Sequence, residues 1–214
     1  MAVKLIEQMH PGLLGFWEIT ETTEQLLDLL LPNKEELEKF YGFRNDSRKK
    51  EYLSVRLLLK QMTGKSSGIQ YDPTGKPLLS GFPGHVSISH STDCVAIYWH
   101  PEELPGIDIE CITRNIERVA PKFLSRQEMI DCSRDGRLSN SEMMLRWCAK
   151  EAVFKMVPFA EIDFAKQILC IAPPISEDQG SFTAFFSIKS TTTSIPLRYR
   201  RMGDILMVWG TFIG

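Results

Sequence analysis

The sequence has no excess of either charge. Lys and Arg number 25 against 27 Asp and Glu, a formal charge of -2. A general nucleic-acid binder is basic overall, so that class is excluded, with room left for a local basic site. No apolar run reaches the length of a membrane span, so none is expected. The N-terminal stretch MAVKLIEQMH lacks the apolar segment of a secretory signal, so export is not expected. The five cysteines, Cys94, Cys111, Cys132, Cys148 and Cys170, form no C-x-x-C pair. A scattered, odd set reads as reduced thiols, which points to the cytoplasm and offers no zinc cage. Also missing are G-x-x-x-x-G-K-[ST], G-x-G-x-x-G and G-x-S-x-G, which removes the usual signatures of P-loop, dinucleotide-binding and α/β-hydrolase sites.

What is there suffices for a full core: 214 residues, 43% of them hydrophobic. Length alone permits one large domain or two small ones. Residues 20–31 read as a helix stopped by Pro32, and 33–40 as a second with Asn33 as a possible cap. The pattern from Asp46 to Met62 is strongly helical, with Gly64 to end it. YDPTGKPLL is turn-rich. HVSISHS alternates like a strand, and CVAIYW reads as a buried strand paired with it. GIDIE follows the breakers Pro101 and Pro105. Ser125 and Glu128 fit a capping box. A helix starts at Asn140-Ser141 and stops at Pro158. The last fifty residues look β-rich. Helices then strands, twice over, predict an α+β fold.

Asp108 and Glu110 stand two residues apart in GIDIE. On a strand they share one face, about 7 Å apart, with Ile107 and Ile109 on the other. Two like charges side by side repel unless something positive sits between them. They read either as the solvated face of an edge strand or as oxygen ligands for Mg²⁺, which takes one or two carboxylates and completes its shell with water and phosphate. In the helix from 141, Met144, Trp147, Cys148, Glu151 and Phe154 recur every three or four residues and share a face. Glu151 interrupts that apolar stripe and needs a partner. Lys155, at i+4, is one; a metal site completed with Asp108 and Glu110 is another.

Arg48, Tyr52, Arg56 and Lys60 recur every four residues and read as a charged helix face, solvated by default. Lys76 sits in GKP between a turn glycine and a rigid proline, where it could meet an anion. His90, flanked by Ser89 and Ser91, is either satisfied by hydroxyls or part of a donor-rich strand end suited to phosphate.

Taken in order, Arg48/Arg56, GKP, SISHS, GIDIE, FLSRQE and WCAKEAVFK resemble the 4′-phosphopantetheinyl transferase superfamily, in its longer, surfactin-type class. G-[IV]-D-[IVL]-E followed some forty residues later by W-x-x-K-E-x-x-x-K is the specific part, and the likeness covers about residues 44–157. It implies two similar α+β halves, residues 1–105 and 106–214, related by a pseudo-twofold with the active site in the cleft between them, in a monomer. It implies that Asp108, Glu110 and Glu151 hold Mg²⁺, that Lys155 and His90 grip the coenzyme A phosphates, and that Lys76, Ser89 and Arg56, with Arg48 beside them, hold the adenosine end. The glycine-containing G-x-G-[LF] segment common after the last helix is replaced here by residues 157–161, which bears on the choice of carrier.

The implied reaction moves 4′-phosphopantetheine from coenzyme A to a serine of an apo acyl or peptidyl carrier protein. Glu151, directly or through a water, is the expected base, with a metal-bound water as the alternative. Two other readings remain open on sequence: a non-catalytic protein that binds carrier or coenzyme A, and an unrelated Mg²⁺-dependent phosphohydrolase.

Overall fold

The computed structural model describes residues 3–64, 68–159, 161–173, 175 and 177–213. The fold is α+β. The chain divides into two compact units, Met1–Glu102 and Glu103–Gly214.

Unit one opens with strands, not with a helix. β1 (Val3–Met9) and β2 (Gly12–Glu18) pair antiparallel. Neither was expected from the sequence, because GLLGFW is a continuous apolar run with no period to declare strand or helix. The expected helices follow as α1 (Thr23–Leu30), α2 (Lys34–Gly42) and α3 (Asp46–Thr63). Thr22 with Gln25, and Asn33 with Glu36, close reciprocal capping boxes on the first two. Gly64 ends α3 at φ 67°, a left-handed conformation that glycine adopts without a Cβ clash. The turn-rich stretch is a hairpin of β3 (Gly68–Tyr71) and β4 (Pro77–Ser80). β5 (His85–Ser91) and β6 (Cys94–His100) pair as expected. The main sheet has the order β1-β2-β6-β5. The apolar side of α3 (Leu53, Leu58, Leu59) joins Trp17, Leu26, Val95 and Ile97 in one core.

Unit two begins with β7 (Leu104–Cys111), which includes Pro105. Pro105 was expected to precede the strand as a breaker. It is tolerated inside because β7 is an edge strand, where a missing N–H on the open side costs no ladder bond. α4 (Ala120–Phe123) and α5 (Arg126–Asp131) follow, the latter capped by Ser125 and Glu128 as expected. The short pair β8 (Ser133–Arg134) and β9 (Arg137–Leu138) leads into α6 (Asn140–Met156). After α7 (Phe164–Gln167) come β10 (Ile168–Ile171), β11 (Gln179–Ile188), β12 (Thr191–Met202) and β13 (Ile205–Phe212). The antiparallel sheet has the order β10-β11-β12-β13-β7. Its inner residues Ala184, Phe186, Leu197, Leu206 and Val208 pack with Met144, Leu145, Cys148, Ala149 and Val153 of α6.

α6 is therefore buried on more than the one stripe expected. Met143, Leu145, Ala149, Ala152 and Val153 are as inaccessible as Met144 and Cys148. Glu151 and Phe154 lie instead on the less covered part of the helix.

Candidate active site

Gly106 sets how closely β7 and α6 approach. A Cβ there would collide with the Ala152 carbonyl and the Met156 side chain, so only glycine lets strand and helix backbones come this near. Two residues on, the strand alternation turns Asp108 toward the same helix. Asp108 is 6% exposed, which rules out a solvated face for it. Lys155 Nζ donates to Asp108 Oδ1 at 2.8 Å and to the Ile107 carbonyl at 2.8 Å. The Cys148 thiol also hydrogen-bonds to Asp108, and burial, then Asp108 and Glu110, push its pKa well up. Cys148 is thus an unreactive, protonated neighbour.

Glu110 is held from two sides. Trp147 Nε1 donates to Glu110 Oε1 at 3.1 Å, and Arg114 Nη2 lies 3.1 Å from the same oxygen. Trp147 is itself wedged edge-on against Phe123, centroids 5.0 Å apart. Its N–H therefore points at Glu110 from a fixed ring. Neither contact was foreseen; the four-residue spacing of Glu110 and Arg114 and the Trp at the head of W-x-x-K-E were the available signals.

Glu151 completes the group. Burial above all, then the charge of Asp108, with a smaller push from Glu110 against the pull of Lys155, raise its pKa to about 7. The pair Glu151–Lys155 is accordingly not a simple i,i+4 surface pair: Lys155 makes its hydrogen bonds to β7. Among the described residues no three His, Cys, Asp or Glu side chains form a ready-made metal cage. The donor set nevertheless fits a hard divalent cation. It is all oxygen and comes from one strand and one helix, and the charges of Asp108 and Glu110 reach Glu151.

Residues 105–194 match the family model of the 4′-phosphopantetheinyl transferase superfamily. This segment of the chain is similar to that superfamily. The match contains Asp108, Glu110, Glu151 and Lys155, and it lies wholly in unit two. The superfamily is named for phosphopantetheinyl transfer. No curated protein matches the chain.

Behind the site, Lys150 is fully buried and donates to Glu128 Oε2 at 2.7 Å and to the Phe164 carbonyl at 2.9 Å. Glu128 also accepts from Ser125 N and Cys170 N. One buried ion pair thus ties α5, α6 and β10 together. W-x-x-K-E contained this lysine, but its partner lies 22 residues away and no local spacing marks it.

The candidate residues of unit one are placed as follows. Arg56 is 5% exposed, its guanidinium carbon 3.5 Å from the centre of the Tyr52 ring, with Nη1 donating to the Tyr52 carbonyl at 3.1 Å and Nε lying 3.4 Å from Glu36 Oε1. Burial lowers its pKa. The solvated-face reading fails for Tyr52 and Arg56, because the ring and the core beneath it cover the guanidinium; Arg48 and Lys60 remain exposed. Lys76 follows an Asx turn in which Asp72 Oδ1 accepts from Thr74 N and Lys76 N, and partial burial lowers its ammonium pKa. Ser89 is buried and His90 half open on β5. Arg48 Nη1 lies 3.1 Å from His90 Nε2, so α3 and β5 bring these two candidates together. Glu51, which pairs with both, was not foreseen, although Arg48 and Glu51 at i,i+3 on one helix was a usable signal.

No helix among the described residues is long and apolar enough to cross a membrane.

Proposed function

We propose that this chain transfers 4′-phosphopantetheine from coenzyme A to a serine hydroxyl of an apo acyl or peptidyl carrier protein, in a Mg²⁺-dependent reaction. The observation that carries this reading is the convergence of Asp108, Glu110, Glu151 and Lys155 from one strand and one helix within the segment that matches the superfamily. Asp108, Glu110 and Glu151 would hold the cation. Bound there, it would neutralise the coenzyme A pyrophosphate and the charge growing on the leaving oxygen.

The protein's own groups have distinct tasks. Lys155, held by the Ile107 carbonyl, is a donor for a phosphate oxygen. Glu151, directly or through a water, would accept the serine proton. Trp147 orients Glu110. The serine oxygen forms a bond to the phosphorus that carries pantetheine, and the bond from that phosphorus to adenosine 3′,5′-bisphosphate breaks. Such phosphoryl transfer rests on positioning and charge stabilisation. In unit one, His90 would meet the phosphates, while Lys76, Ser89 and Arg56, with Arg48, would hold the adenosine end. The longer, surfactin-type class, a monomeric state and a cytoplasmic setting belong to the same reading.

Mass spectrometry of apo carrier proteins incubated with coenzyme A, Mg²⁺ and this protein tests it. The expected result is a gain of one phosphopantetheine mass on the carrier serine. Coenzyme A binding without any mass gain would make the protein a non-catalytic binder, and phosphate release without carrier would make it a hydrolase.

A further inference from the structure

Two donors of different charge meet one oxygen of Glu110. Trp147 Nε1 donates to Oε1 at 3.1 Å, and Arg114 Nη2 lies 3.1 Å from the same atom. The indole N–H is neutral, whereas the guanidinium carries a full positive charge. The Glu110 side chain is only 14% exposed and that of Arg114 52%.

The backbone beneath Arg114 is anchored, and its side chain is not. Arg114 lies in the turn after β7, where its N–H donates to the Cys111 carbonyl at 3.1 Å. Asn140, the first residue of α6, stitches this turn to the helix that carries Trp147 and Glu151. Its Nδ2 donates to the Ile112 carbonyl at 2.8 Å and the Arg114 carbonyl at 3.0 Å, and its Oδ1 accepts from Ile116 N at 3.2 Å. The guanidinium reaches Glu110 from that fixed point on a long stem half in water. An ion pair so exposed contributes little, so the guanidinium can swing into solvent at small cost.

The two donors act differently toward a cation. Trp147 orients the carboxylate without opposing a positive ion. Arg114 compensates the carboxylate, but its charge repels any ion that approaches the same group. A divalent ion meets that repulsion until the guanidinium moves aside.

We propose that Arg114 is a displaceable counter-ion of Glu110. It pairs with the carboxylate before a divalent cation arrives, lowers the affinity of the carboxylates for that cation, and gives way when it binds. The inference rests on the cation reading of Asp108, Glu110 and Glu151 proposed above.

The sign of one binding change tests it, because a counter-ion opposes the cation and a positioning residue assists it. Mn²⁺ is titrated into the intact protein without substrate, and the unbound ion is read by its paramagnetic resonance. Arg114→Gln should bind Mn²⁺ about fivefold more tightly than the wild type. Arg114→Lys, which keeps the charge, should stay near the wild type. Trp147→Phe removes a neutral donor from the same oxygen and should bind no more tightly than the wild type. Glu110→Gln should weaken binding in each background. Weaker or unchanged binding in Arg114→Gln overturns the proposal, since Arg114 would then orient Glu110 or stand by. Tighter binding in Trp147→Phe overturns the charge argument, and undiminished binding in Glu110→Gln places the ion elsewhere and overturns it too. If neither the wild type nor Arg114→Gln binds Mn²⁺, the cation reading itself falls, and this inference with it.

Discussion

Lys155 Nζ sits 2.8 Å from Asp108 Oδ1, bridging the last turns of α6 to the edge strand β7. This pair decides how the ligand-free protein tolerates its carboxylates. One internal ammonium compensates Asp108 and Glu151, while Arg114 pairs with Glu110.

Removing either partner of that pair should therefore be costly. Lys155→Met leaves a buried carboxylate among other acids, and Asp108→Asn leaves a half-buried ammonium. Each should lose about 1–3 kcal/mol. The double variant should lose less than the sum, with a coupling above about 1 kcal/mol in a urea-melt cycle. Additive losses would show that the contact contributes nothing. Both single variants should fail to transfer phosphopantetheine. Without this pair, a simple relief of repulsion would predict that loss of Asp108 stabilises the protein; the ammonium reverses the expected sign.

Glu151→Gln should show opposite effects on stability and activity. The folded pKa of Glu151 is about 7, above its ordinary 4.5, so the folded state holds this proton more tightly than the unfolded chain. Its linkage contribution is fully present below about pH 4.5 and is lost as pH rises through about 7. In EDTA, Gln should thus stabilise at pH 8 by about 1–3 kcal/mol relative to its effect at pH 5, with a higher melting temperature. An equal shift at both pH values would contradict the burial argument. Transfer should fall by about a hundredfold or more.

Lys150→Met should test the buried pair behind the site. The fully buried Glu128 would lose its ammonium partner, at a cost of about 3–5 kcal/mol. The denaturation midpoint should drop accordingly. A loss below about 1 kcal/mol would mean that Ser125 N and Cys170 N suffice for the carboxylate.

Arg56→Ala should raise KM for coenzyme A more than it lowers kcat, because the adenosine end is remote from the reacting phosphorus. The same change removes a guanidinium packed on Tyr52 and should cost about 1–3 kcal/mol of stability. Arg56→Lys separates the two effects, since it keeps charge but not the planar stack. An unchanged KM with lowered stability would leave Arg56 a purely structural residue.

What the sequence determined by itself is what depends on neighbours along the chain. The caps at Asn33 and Ser125, the stop at Gly64 and the pairing of β5 with β6 are short-range signals, each with its own hydrogen bonds or dihedral preference. The motif spacing likewise singled out Asp108, Glu110, Glu151 and Lys155. Tertiary structure alone decided which charge each of them meets. Lys155 bonds to β7, 47 residues away, because Gly106 lets the helix approach that strand. β2 was illegible because a largely buried strand has no alternation to display. Glu128 read as a cap, and it is one, but its Oε2 also takes Lys150, its Oε1 accepts from Cys170 N, and its burial comes from the closing of α5, α6 and β10 around it. Burial and long-range partners set the energies of charged groups, and neither is a property of local sequence.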